Sequence, residues 1–166
     1  SGGSDGAFLY NRSTDRCVLL GTDGKEHLSL GRDTLGSDGE WWYYDLLSQL
    51  FANEGYACLQ HRNNNYDPTG VTIYDLSTGD VLAAPVITQA GTFHEGLLAA
   101  QDKATKLWGY LNTDGAWAIP PSFDEANAFL QGSAVVSLNG CYRLIDHTGA
   151  SLCEFGEGVF LYRDTD

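Results

Sequence analysis

Residues 93–149 read FHEGLLAAQDKATKLWGYLNTDGAWAIPPSFDEANAFLQGSAVVSLNGCYRLIDHTG, and one order of features occurs in them twice. Phe93-His94-Glu95-Gly96 opens an apolar run, Leu97 to Gln101, and Leu111-Asn112-Thr113-Asp114-Gly115 closes the next one. Phe129-Leu130-Gln131-Gly132 then opens Ala134 to Leu138, and Ile145-Asp146-His147-Thr148-Gly149 closes its successor. Short apolar runs bounded by turn formers are strands. In the closing turns, Asn or Asp at the first position hydrogen-bonds the turn backbone and the last Gly supplies a positive φ. Asn139-Gly140, a strong two-residue hairpin signal, joins Ala134 to Leu138 with Cys141 to Ile145, and the turn at Gly149 leads to Ala150 to Glu154. Each unit is therefore expected to be a three-stranded antiparallel meander.

The same landmarks continue outward in both directions. Phe51 to Glu54-Gly55 opens Tyr56 to Gln60, and Phe155-Gly156-Glu157-Gly158 opens Val159 to Tyr162; further closing turns lie at Leu20 to Gly24 and Tyr74 to Gly79. Gly79, Gly115 and Gly149 stand 36 and 34 residues apart, a spacing in the range of stacked or radial repeats, while the 55 residues from Gly24 to Gly79 imply an insertion. The expected fold is all-β: about four tandem three-stranded antiparallel meander repeats stacked as an open array, with a closed propeller-like ring as the alternative. The units fall at about 7–30, 51–88, 93–123 and 129–154, with a partial copy at 155–166, an insertion at 31–50 and a tether at 1–6. Within the insertion, Trp41 to Phe51 carries the best helix signal.

The run Trp108-Gly109-Tyr110-Leu111-Asn112-Thr113-Asp114-Gly115, with Ile119-Pro120-Pro121, Phe123-Asp124-Glu125-Ala126, Phe129 and Gly132 to Ala134, resembles the WG-repeat (KWG-repeat) family almost position by position. The likeness covers one copy, roughly 93–136; the others share only its F-x-E-G and T-G landmarks, with Tyr142-Arg143 in place of Trp-Gly in the last. The resemblance implies a bacterial β-repeat protein of the exported or lipid-anchored kind. It supplies no catalytic residues, and it implies that the Trp, Gly and Phe landmarks are structural. Trp108, Phe123 and Phe129 are accordingly expected to be buried.

Composition bounds the function. With 22 Asp and Glu against 9 Lys and Arg, the net charge is -13 and the cations form no stripe, which argues against nucleic acid and anionic membranes as partners. No stretch approaches the roughly 20 apolar residues of a membrane-spanning helix. Ser1-Gly2-Gly3-Ser4-Asp5-Gly6 has the composition of a flexible tether, as follows the lipidated cysteine of a bacterial lipoprotein, or of a frayed terminus. The expected location is extracytoplasmic, secreted or lipid-anchored at the bacterial cell surface, with any lipid anchor outside this chain. The four cysteines, Cys17, Cys58, Cys141 and Cys153, lack metal-ligand spacing; Cys141 and Cys153 are the one pair placed on neighbouring strands, and buried thiols are the alternative.

No metal, cofactor or catalytic group is expected. Glu54, Glu95 and Glu157 recur with the repeat, so they read as fold residues rather than the facing carboxylates of a glycosidase. Asn112 to Gly115 lacks the alternating acids of a calcium loop, and the four histidines are dispersed. Two features lie outside the repeat. Trp41-Trp42-Tyr43-Tyr44 cannot all face one core, so one or two must be exposed, and exposed Trp and Tyr suit sugar rings or protein partners. The loop from His61 to Gly70, containing Arg62, Asn64, Tyr66 and Asp67, is longer than its counterparts, and its side chains match carbohydrate hydroxyls. The expected function is a noncatalytic exported or cell-surface module binding protein or glycan through these residues; the alternatives are a carbohydrate-active enzyme and a structural spacer of a larger surface protein. Gly6 to Tyr10 and Gly158 to Tyr162 match almost letter for letter, and the last strand is expected to pair within the chain.

Overall fold

A computed structural model describes residues 6–36 and 39–156. The second match of the end strands, 158–162, most of the tether and Glu157 lie outside the described residues. Four antiparallel sheets follow one another along the chain. The first holds β1 (Ala7–Asn11), β2 (Arg16–Leu20) and β3 (Glu26–Leu30). A single 3-10 turn (Arg32–Thr34) and helix α1 (Trp42–Ser48) occupy the insertion. The second sheet holds β4 (Leu50–Asn53), β5 (Tyr56–Arg62), β6 (Pro68–Asp75) and β7 (Asp80–Val81). In the third are β8 (Ile87–Ala90), β9 (Leu98–Asp102), β10 (Trp108–Leu111) and β11 (Trp117–Phe123). The fourth comprises β12 (Glu125–Ala126), β13 (Ala134–Leu138), β14 (Cys141–Ile145) and β15 (Ser151–Phe155).

The open β-repeat array is thus the architecture found, with one difference in its unit. The last three sheets have four strands, because F-x-E-G is itself a hairpin turn between two strands. Glu54, Glu95 and Gln131 sit at φ 51°, 53° and 52°, each followed by a Gly at φ 82°, 76° and 85°. Positive φ at both central residues is the two-residue turn whose twist matches the flanking strands. Asn53 pairs with Tyr56, His94 with Leu97 and Leu130 with Ser133 across these turns. In the third and fourth sheets the strand before the turn continues from the preceding unit, so β11 runs directly into β12 and the chain passes from sheet to sheet, whereas β4 follows α1.

Side-chain parity explains how the sheets stack. Along a strand, successive side chains face opposite sides. Ala57 and Leu59 join Cys17, Leu19, Leu28, Leu30, Trp42 and Leu46 in a core between the first two sheets, whereas Cys58 and Ile73 face a second core with Ile87, Phe93, Leu98 and Leu111. Leu97, Ala99 and Tyr110 turn the other way, into a third core with Ile119, Phe129, Val136 and Ile145. The two inner sheets are therefore covered on both faces, which is why their strands read as continuous apolar runs rather than alternating ones.

The closing turns follow the sequence reading. Gly24, Gly79, Gly115, Gly140 and Gly149 all have positive φ. Asn112 Oδ1 accepts the N–H groups of Asp114 and Ala116, and Asp146 Oδ1 those of Thr148 and Ala150. Gly109 serves a different purpose. A Cβ there would lie 2.5 Å from the Ile119 carbonyl oxygen and 2.8 Å from the Pro120 carbonyl carbon, so the glycine of Trp-Gly exists to let β10 and β11 approach.

Two expectations are corrected, and one cysteine pairing that the sequence leaves open is absent. Helix α1 ends at Ser48, and Phe51 belongs to β4, because Trp42 and Leu46 are the i, i+4 pair that the core accepts while Leu50 already pairs with Leu59. The loop from His61 to Gly70 shrinks to residues 63–67, since β5 and β6 extend their ladder to Arg62 and Pro68. Cys141 and Cys153 are not bonded. Cys141 lies opposite Leu138 and Cys153 opposite Leu144, three positions along β14, so the odd offset puts the two thiols on opposite faces of the sheet.

Candidate functional site

Helix α1 divides the four aromatics at its start. Trp42 is 1% exposed and Tyr43 half-buried, while Trp41 and Tyr44 are 58% and 61% exposed. The buried ring is anchored through Asp15, whose carboxylate accepts from Trp42 Nε1 at 3.2 Å, Arg32 Nε at 2.5 Å and the Tyr10 hydroxyl at 2.5 Å. Hydrogen bonds from Arg32, Tyr10 and Trp42 hold the Asp15 carboxyl down at about 2. The same bond to Asp15 pushes the Tyr10 hydroxyl up. Tyr43 stacks on Tyr10 with centroids 3.8 Å apart and planes 3° from parallel. Trp41 and Tyr44 extend the strip outward, 5.7 Å apart. Two rings are thus committed to the fold, and Trp41 and Tyr44 stand exposed. Beside them a concavity of about 290 Å³ is lined by Tyr10, Arg12, Arg32, Glu40, Trp41 and Tyr43.

Further along α1, the hairpin of β5 and β6 closes against the helix. Arg62 Nε donates to Gln49 Oε1 at 2.9 Å and its Nη1 to the Tyr66 carbonyl at 2.9 Å. Asn63 Oδ1 accepts the N–H groups of Asn65 and Asp67, which shapes the tip, and leaves Tyr66 71% exposed. Asp45, Gln49, His61, Asn64 and Tyr66 border a second concavity of about 370 Å³. His61 Nε2 bonds Thr72 Oγ1 across the ladder, and burial lowers its pKa. The structure therefore brings the two sequence-derived groups to the two ends of one short helix. Arg62 and Asn63 within the second group serve the loop itself, while Asn64, Tyr66 and Asp67 are exposed.

The recurring glutamates lie elsewhere and bind backbone. Glu54 accepts the N–H groups of Glu95 and Gly96 at 2.7 and 2.9 Å, and Glu95 accepts those of Gly132 at 2.8 Å and of His147 Nε2 at 2.9 Å. Each carboxylate caps the turn of the next repeat.

Trp108 departs from expectation. Phe123 and Phe129 are buried, but Trp108 is only half-buried, packed against the third core and bordering a groove of about 700 Å³ between the third and fourth sheets. Its exposure follows from the two-residue length of β12, which leaves the end of β10 uncovered. The sequence carries no signal for this, because the length of a neighbour's edge strand is a tertiary property.

The profile of the WG containing repeat matches residues 108–142, a span that runs from Trp108 through β13 into β14. No curated protein matches the chain. Trp108-Gly109, the strand approach that Gly109 permits and the turn closed by Gly115 are thus the features of a WG containing repeat, and residues 108–142 of this chain match that repeat.

Proposed function

We propose that this chain is a noncatalytic exported or cell-surface bacterial binding module that engages a protein or glycan partner through the aromatic face of α1 and the adjoining hairpin tip. The observation that carries this reading is the division of the aromatic tetrad: Trp41 and Tyr44 stand exposed beside rings fixed by the fold. Rigid amphipathic rings lose little entropy on contact and dominate the energetics of small interfaces. The net charge of -13 favours a neutral or basic partner over nucleic acid. Support for a noncatalytic role comes from the glutamates, which are occupied by backbone N–H groups of the next repeat. Among the described residues no helix is long and apolar enough to cross a membrane.

A glycan array and an affinity capture from the periplasmic and surface fractions of bacteria, run in parallel with the wild type and a Trp41→Ala/Tyr44→Ala variant, test the proposal. Both side chains are exposed, so the variant keeps its fold. Capture or array binding that the double variant loses supports the reading. A double variant that loses none of the wild-type array or capture signals, or no binding in either format, contradicts it.

A further inference from the structure

The groove between the third and fourth sheets is built differently from the aromatic face of α1, and it does not depend on that reading. Its floor continues the row of side chains that faces the third core: Trp108 lies opposite Gln101 in the ladder, and Gln101 opposite Gln89. Where the fourth sheet stops short, this row emerges from the core and becomes a surface. Gln89 Nε2 donates to Gln101 Oε1 at 3.0 Å, and Gln101 Nε2 donates to the Lys106 carbonyl at 3.0 Å, so the amides are fixed in place. Their chain leaves the Gln89 carbonyl oxygen as an acceptor facing no group of the protein among the described residues. The Trp108 indole N–H likewise donates to no described residue, and the exposed Glu125 carboxylate on the opposite wall pairs with none of the described residues. Thr92 Oγ1 and His94 Nε2, bonded to each other at 3.0 Å, close one side.

An open groove of about 700 Å³ is in the size range of small-molecule sites. Its chemistry is specific in kind. It offers one indole face and edge, fixed primary amides with both donor and acceptor character, a hydroxyl, an imidazole and one free carboxylate. Of the two neighbouring acids, Asp124 is committed to the Asn139 N–H at 2.8 Å, which leaves Glu125 as the carboxylate available to a ligand. A ligand with many hydroxyls that both donate and accept, and with apolar ring faces to lie on an indole, satisfies such a lining. An anionic polymer is opposed by the net charge of -13, and an apolar ligand would leave the amides and the carboxylate unpaired. We infer that the inter-repeat groove floored by Gln89, Gln101 and Trp108 and walled by Glu125 is a binding site for a neutral oligosaccharide.

The test uses the full chain and a panel of neutral oligosaccharides of two to six sugars, namely cello-, xylo-, manno- and chito-oligomers, titrated calorimetrically. Glu125→Ala and Gln101→Ala are the primary variants, with Trp108→Phe keeping an aromatic ring where Trp108→Ala risks the fold. The expected result is saturable binding of at least one series, weakened tenfold or more by Glu125→Ala and by Gln101→Ala, reduced by Trp108→Phe, and unchanged by Trp41→Ala/Tyr44→Ala. No saturable binding across the panel overturns the inference. So does binding that the groove variants leave intact but the α1 variant abolishes, and so does binding of a Lys/Arg-rich peptide in the groove with none of the sugars.

Discussion

Glu54 and Glu95 hold the same position in successive repeats, and the first is bonded to the backbone of the second: Glu54 Oε2 accepts the Glu95 N–H at 2.7 Å while Oε1 accepts that of Gly96 at 2.9 Å. Charge-assisted bonds to backbone N–H groups are the stronger kind, but Glu54 is exposed, so solvent screens them. Glu54→Ala should lower stability by about 1 kcal/mol, and Glu54→Gln, with a single acceptor oxygen, by less. Chemical denaturation checks both. Equal and negligible effects would mean that the carboxylate contributes nothing to the join between repeats.

Phe129 and Trp108 should behave differently on truncation. Phe129 is 1% exposed and packs against Tyr110 with centroids 4.8 Å apart, so Phe129→Ala should cost about 3 to 5 kcal/mol. Trp108→Ala, at a half-buried position, should cost clearly less. Thermal unfolding of the two variants side by side decides the order; the reverse order would place Trp108 in the core.

Gly109→Ala should destabilise by about 1 to 3 kcal/mol, because a methyl group there meets the backbone of Ile119 and Pro120 and one strand must move. Gly140→Ala puts its methyl group in open space, and its cost comes only from the positive φ of 82°. Comparing their denaturation midpoints separates crowding from conformational strain. A Gly109→Ala variant as stable as wild type would contradict the close approach of β10 and β11.

Asp15 gives the fold an acid-sensitive join between α1 and the first sheet. Its carboxyl is held at about 2, below the ordinary 3.8, first by Arg32 and then by Tyr10 and Trp42. A depressed carboxyl pKa contributes stability above the unfolded value, and that contribution is lost as pH falls through the folded one. The stability difference between wild type and Asp15→Asn should therefore be constant above about pH 4 and shrink towards pH 2. Thermal scans at successive pH values measure it, and a difference that does not change over this interval would show that Asp15 is unpaired.

The sheets were largely legible in the sequence because their turns are local chemistry. Asn112, Asp146 and Asp75 organise the closing turns through their own side chains, and Asn139-Gly140 announces its hairpin. The fourth strand was hidden because Glu seldom takes a positive φ. At Glu95 that conformation is supported by Glu54, a residue 41 positions away. The candidate surfaces were half legible. Four consecutive aromatics had to divide between core and solvent, but which two stay out depends on Leu46 drawing Trp42 inward. The groove at Trp108 was not legible at all, since it arises where β12 is too short to cover β10.

The stack itself is tested most directly by hydrogen exchange read residue by residue. If the second and third sheets are covered on both faces, the slowest amides should be those of β5, β6, β9 and β10, with β1 and β15 exchanging much faster. Equal protection across all four sheets, or slowest exchange in the first or last, would contradict the stacked order from which every site here is derived.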